Sequence, residues 1–384
     1  MTSPVSKNGL VRGCGLVALC VAAAAPLTAV HAGEGFKLRT TTLGDLSGEF
    51  FSPFVTTAGW AGAFAVTHTS QEEMTDNNGN RYSAPFPAQV VPITGLGNVT
   101  VNMDDLKIDF RQKQTNANLV FLYRMPTESG DNLIFSVNAG MAHIDRNMQF
   151  DLDRMPVSTS SQFVPPAAIA ANPAFAAGID SAVGGLNSVN NRREGWQLAD
   201  TEVSAAWLGR WFSPIGPMRV KTSLTLAIPT GDYVATEGVN AGAGDFYTLR
   251  PSVSVIYDMT SSLSLGAKST LGFNTKNRDT NYKSGSFHAL ELALAHHNGA
   301  GRTFGVQTVM VNQYEDDEGG TAAAKAEILR QQGNKYKFTS MGVFASMPIA
   351  SIQSKLHISY AKSVGKVKNG IEMQGLQVSL SRAF

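Results

Sequence analysis

The residues best suited to acid–base chemistry in this chain are His68, His143, His288, His296, His297 and His357. An enzyme built on them would set a histidine beside a serine or an aspartate. None of the six sits in a nucleophile motif, and Gly-x-Ser-x-Gly is absent. His296-His297 stands just before a short connection, which suits an interfacial position. The acidic run Glu315-Asp316-Asp317-Glu318 carries oxygen donors for a divalent cation but lacks the spacing of a calcium loop, so it reads as a solvated loop tip. The sequence therefore points to no catalytic residue, no metal ligand and no cofactor. The remaining candidates are charged side chains threaded singly between apolar ones: Arg124, Glu202, Arg210, Arg219, Lys221, Arg250, Lys268, Glu291 and Lys355.

Such residues need elements that send them one way and their neighbours the other. A strand does this, because its side chains alternate between two faces. The clearest case is 263–273. Leu263, Leu265, Ala267, Leu271 and Phe273 oppose Ser264, Gly266, Lys268, Thr270 and Gly272. The same rhythm predicts strands over 58–70, 115–125, 132–143, 198–211, 218–228, 247–257, 287–296, 304–314, 336–347, 352–362 and 376–384. That makes twelve, or fourteen if Val99–Phe110 is a strand of its own. Leu106, Ile108 and Phe110 alternate, which also fits an extension of the following strand.

Short connections alternate with long ones. The short ones cover 126–131, 213–217, 258–262, 298–301 and 348–351, and the long ones 71–114, 145–197, 229–246, 274–286 and 315–335. This is the layout of a transmembrane antiparallel β-barrel with short periplasmic turns and long extracellular loops. No segment beyond the leader has the apolar run of a membrane helix. A closed barrel is then the way for the chain to satisfy its backbone in lipid. Apolar residues face outward and polar ones inward, the reverse of a soluble barrel with a greasy interior. The nine inward charges either bind or steer a solute, or pair with one another and hold the barrel rigid. The last strand ends on Phe384, an aromatic ring suited to the membrane boundary and to recognition by the barrel-assembly machinery. Arg382 interrupts its apolar face and fits the inner rim. Within the long loops, Ala167–Ala182 suits one or two short helices. Thr321 caps a solvated helix over 322–332, which Gly333 ends.

Residues 1–32 read as a secretory signal: Lys7 and Arg12, an apolar run from Gly13 to Ala25, and small residues at Val30-His31-Ala32. Both cysteines, Cys14 and Cys20, lie inside it, so the mature chain is expected to have no thiol. Removing Lys7 and Arg12 takes the net charge from +1 to −1. That balance excludes a nucleic-acid partner, which needs a basic field. Residues 33–57 have no period and are either a periplasmic tail or a segment folded into the lumen. Residues 58–384 are the barrel.

Two stretches are more specific. Pro229-Thr230-Gly231-Asp232-Tyr233 follows one strand, and Asn277 leads into Thr280-Asn281-Tyr282-Lys283-Ser284-Gly285, followed by His288. In these residues the chain resembles the outer-membrane proteins of the meta-pathway of phenol degradation family, which usually has Thr-Asp-Tyr where this chain has Thr280-Asn281-Tyr282. The resemblance implies an outer-membrane channel that takes up small hydrophobic, including aromatic, compounds. A general diffusion pore and a structural or adhesive barrel are the alternatives. Phe50–Phe54 and the 145–196 loop are the expected binding path.

Overall fold

The computed structural model describes residues 43–50, 54–93, 96–214 and 216–384. The leader expected over 1–32 lies outside the described residues, as do Phe51 and Pro53. The strands in chain order are β1 (Gly59–Met74), β2 (Ser83–Ala84), β3 (Gln89–Ile93), β4 (Gly97–Asn102), β5 (Leu106–Pro126), β6 (Asn132–Asp151), β7 (Ser158–Thr159), β8 (Gly195–Leu198), β9 (Thr201–Ser213), β10 (Gly216–Ile228), β11 (Thr248–Asp258), β12 (Leu263–Asn274), β13 (Phe287–His297), β14 (Thr303–Gln313), β15 (Lys337–Ile349), β16 (Ser354–Ser363) and β17 (Ile371–Ala383). The helices are α1 (Leu46–Glu49), α2 (Pro166–Ala170), α3 (Pro173–Asn190) and α4 (Ala322–Arg330).

Among the described residues, twelve strands form a closed antiparallel barrel: β1, β5, β6 and β9 to β17. Each pairs with the next along the chain, and β17 returns to β1. The closing seam runs from Ala61 opposite Ala383 to Met74 opposite Ile371. The amide of Phe384 extends it by donating to the Trp60 carbonyl at 2.8 Å.

Facing follows the alternation. Leu265 on β12 and Leu294 on β13 form an exposed pair, while Lys268 and Glu291 form a buried one between the same strands. Leu119, Phe121, Phe135, Val306 and Val343 continue the exposed apolar belt. Trp60, Trp211, Phe212 and Phe384 rim it near the short turns, and Trp196, Tyr247, Tyr314 and Tyr360 near the long loops. Rings at both edges of an apolar belt suit two lipid–water boundaries.

The structure revises several boundaries. β5 starts at Leu106, so Leu106–Phe110 is the outer part of that strand. Val99 belongs to β4 in a separate small sheet, and the fourteen-strand option falls. β6 runs to Asp151, which takes the first seven residues from the expected 145–196 loop. A spanning strand needs only about 9–11 residues, so β5 and β6, with 21 and 20, rise well past the belt. Both keep alternating buried and exposed positions there, which holds them extended. Helix α4 forms where the sequence placed it. Thr321 Oγ1 accepts from Ala324 N at 3.1 Å, and Gly333 sits at φ +91° just beyond the end. It is not wholly solvated, because Ala324 and Ile328 pack on Tyr282.

Residues 83–107 and 150–186 form a compact unit of their own. In it β3, β4 and β7 make a three-stranded sheet, and Arg154 pairs with Asp180 at 2.6 Å. The alanine-rich stretch supplies α2 and most of α3, with prolines at both helix starts.

The facing assignment has a direct test. Leu265→Arg puts a charge on the belt, at a cost of about 2–4 kcal/mol near a bilayer midplane. Asn116→Ala alters a lumen amide with little effect on assembly. Refolding yield, read as the heat-modifiable band on gels, should fall sharply for the first variant only. Equal yields would contradict the facing.

Candidate functional site

The lumen is divided between a lodged segment and an open cavity. The segment is 43–50. Its one-turn helix α1 has no side-chain cap of its own. Glu291 on β13 supplies one, accepting from Asp45 N and Leu46 N at 2.9 Å each. The segment's carboxylates meet wall cations. Asp45 lies 2.9 Å from Lys268, and Glu49 lies 3.1 Å from Lys221 and 3.2 Å from Lys268. Ser254 donates to the other oxygen of Glu49. Arg219 donates to the Phe50 carbonyl at 3.1 Å, and Gln307 to that of Leu43.

Apolar contacts complete the seat. Leu46 and Phe50 pack against Ile256, Ala293, Ala295 and Phe344, with the Phe50 and Phe344 rings stacked at 5.9 Å. Gly266 makes room for this, since a Cβ there would lie 2.7 Å from the Phe50 ring. Further along, Arg210 stacks on Phe54 at 4.4 Å, and Asn132 exchanges two hydrogen bonds with the backbone of Val55. Glu49 and Lys268 are buried, and removing one partner of a buried ion pair costs roughly 3–5 kcal/mol, whereas Asp45 is exposed and its pair is worth less. The segment is therefore held by the buried charge of Glu49 together with the apolar seat of Leu46 and Phe50.

The open cavity has a volume of about 1340 Å³. This exceeds the roughly 300–1,000 Å³ of a single-ligand pocket and suits a passage. It follows the wall made by β17, β1 and β5. Ala61, Ala63 and Ala65 on β1 leave the space. Gln112, Gln114, Asn116 and Asn118 line it on β5 and are followed on the same face by Val120, Leu122 and Arg124. The amides bond in series, Gln112 to Gln114 at 3.2 Å and Gln114 to Asn116 at 2.8 Å. Arg146 on β6 donates to Gln112 at 2.6 Å and to the Gly238 carbonyl at 2.7 Å, and packs over Phe110.

All nine lumen candidates have a place in this picture. Lys221, Lys268, Glu291 and Arg219 grip the segment. Arg210 holds Phe54. Arg250 and Glu202 pair with each other beside the cavity, which Arg124 and Lys355 also line. Gln112, Gln114, Asn116 and Arg146 were not foreseen, Arg146 lying beyond the expected end of its strand at 143. The alternation of β5 held that signal, but only neutral residues carried it. His297 meets Ser264 at 2.8 Å, yet its other ring nitrogen meets Thr303, and Asp258 accepts from the serine itself. Among the described residues, both ring nitrogens of His297 meet hydroxyls and neither meets a carboxylate.

The two specific stretches fasten the long loops. Pro229 follows the end of β10. Thr230 Oγ1 accepts from Thr201 N at 2.9 Å, and Asp232 accepts from Leu198 N at 2.7 Å. Gly231 donates to Asp200 at 3.0 Å, and a Cβ on it would lie 2.8 Å from the Gly242 backbone. Asn277 donates to the Tyr233 hydroxyl at 3.1 Å, which joins the two stretches. Tyr282 N donates to Thr280 Oγ1 at 3.3 Å, and the Ser284 carbonyl accepts from Asn274 at 3.2 Å. Tyr282, Gly285, Asn334 and Gln313 all donate to the buried Asp317. The acidic run thus contains one buried hydrogen-bond hub, not four solvated carboxylates.

A closed barrel with an apolar belt, ringed edges and a polar lumen is the architecture of a transmembrane β-barrel. The sequence profile described as "Putative MetA-pathway of phenol degradation" matches residues 92–349. The chain belongs to that family. Its fold is similar to that of an outer membrane channel from Pseudomonas putida F1, at 12% identity, with 86% of this chain and 97% of that one covered and a TM-score of 0.57. Two others are the β domain of a Bordetella autotransporter (10% identity, 84% and 99% covered, TM-score 0.40) and a toluene transporter of Ralstonia pickettii (9%, 88% and 94%, 0.39). No curated protein matches the chain.

The hold on 43–50 can be measured at Ser47, which is buried and lies 3.3 Å from His357. Maleimide labelling of a Ser47→Cys chain should be slow. Adding Asp45→Asn and Glu49→Gln should speed it by about tenfold or more, given the cost of breaking the buried pairs of Glu49. An unchanged rate would show that the ion pairs do not hold the segment.

The Asp317 hub makes the loops sensitive to pH. Burial pushes its carboxyl up to about 6, against the pull of its four donors. A raised carboxyl stabilises the fold fully below its ordinary value of 3.8, and that contribution is lost as pH rises through 6. Hydrogen exchange over 277–286, corrected for its intrinsic pH dependence, should therefore show looser loops at about pH 7 than at about pH 5. Asp317→Asn should flatten the difference.

Proposed function

We propose that the protein is a bacterial outer-membrane channel for the uptake of small, mainly hydrophobic molecules, aromatic ones included. The observation that carries this reading is the cavity of about 1340 Å³ that runs beside the lodged segment. A barrel serving only as scaffold has no need of alanines at Ala61, Ala63 and Ala65, where larger side chains would fill the space. The description of the family names phenol degradation, which agrees with an aromatic solute. Val120 and Leu122 supply apolar lining, and the amides offer hydrogen bonds that a solute exchanges without being trapped. In this reading the long loops face outward, and β17 with Phe384 is the handle for the barrel-assembly machinery. Outer-membrane lipid covers the belt. Catalysis has no part in it.

Planar-bilayer recording tests the proposal. The native chain should conduct poorly, because 43–50 lies along the cavity and narrows it. The Asp45→Asn, Glu49→Gln chain should open often and with larger steps. If both insert and neither conducts, the channel reading fails.

A further inference from the structure

Of the nine inward groups named above, seven are cations. The two carboxylates are already engaged, Glu202 by Arg250 and Glu291 by the backbone of α1. The anions that meet Lys221 and Lys268 come from the lodged segment.

The register explains how they are met. Lys221 on β10 stands opposite Ser254 on β11, which stands opposite Lys268 on β12. Two ammonium groups thus flank a hydroxyl across three neighbouring strands, about 4.8 Å apart. All three converge on one carboxylate. Both lysines take Glu49 Oε1, at 3.1 and 3.2 Å, and Ser254 takes Oε2. With the segment in place, Ser254 and Lys268 are buried beneath Glu49. Beside it is an apolar slot of Ile256, Ala293, Ala295 and Phe344, floored by Gly266 and filled by the Phe50 ring. Glu49 and Phe50 are adjacent in the chain. Together they present a carboxylate and an aromatic ring, side by side, to a site shaped for both.

We propose that Lys221, Ser254 and Lys268, with the slot under Phe50, form a binding site for a small aromatic carboxylate. Glu49 and Phe50 occupy that site until the solute displaces them. The lysines fix the carboxylate, Ser254 donates to it, and the ring lies against Phe344. The proposal narrows the solute class of the channel reading and takes its biological meaning from it.

Benzoate is the probe, and benzamide its neutral counterpart of the same shape. Equilibrium binding is measured on the full chain in detergent. The native chain should bind benzoate weakly. Asp45→Asn with Glu49→Gln should bind it about tenfold tighter or more, since the site is then no longer occupied from within. Benzamide should bind neither. Adding Lys221→Met and Lys268→Met should abolish benzoate binding. If that chain does not fold, Ser254→Ala in the same background should weaken binding several-fold. The proposal is overturned if benzamide binds as well as benzoate, or if binding survives both the lysine and the serine changes. The two readings fail separately. A chain that conducts but ignores benzoate sinks only the site, and one that binds benzoate but never conducts sinks only the channel.

Discussion

Lipid offers a backbone nothing to bond with, and the rest of this structure depends on that. Each N–H and C=O in the belt must find its partner in the protein, so the sheet has to close. Closure fixes which face looks at lipid and which at the lumen. It also leaves the lumen-facing cations in a confined space. There they need anions of their own, because an unpaired buried charge is expensive.

The wall supplies some of them, Asp258 for Arg219 and Glu202 for Arg250. Glu202 and Glu291 are the carboxylates among the nine inward groups, and Glu291 is used to hold backbone. Asp45 and Glu49 answer Lys221 and Lys268 from a separate stretch of chain. The lodged segment is thus both an obstruction and a counter-charge. The same arithmetic that keeps it in place defines what could replace it.

Much of the barrel was legible in the sequence. Strands such as β12 and β10 alternate because one face meets lipid and the other polar groups, and two environments give a clean period of two. The helix α4 was legible from Thr321 and Gly333, whose signals are local. The lodged segment was not. Its shape is decided by Glu291, Lys268 and Arg219, which lie far along the chain, and no window around Gly44 contains them. The outer ends of β5 and β6 were missed in part, since beyond the belt the outward face is free to carry Lys107, Asp109 and Arg111. The little sheet of β3, β4 and β7 hid behind Pro85, Pro87 and Pro92, which read as loop. For the site, inward charges could be named from alternation. Which of them converge on one carboxylate needed the register between strands.

Every neighbour in the barrel is also a neighbour in sequence, apart from the single joint between β1 and β17. Assembly can therefore advance hairpin by hairpin with low contact order, and only the final joint demands a meeting of distant segments. Until β17 arrives, the growing sheet keeps two raw edges that lipid cannot tolerate. A half-made copy is thus barred from becoming a stable hole in the cell's envelope. The geometry itself acts as a safeguard against leakage during biogenesis.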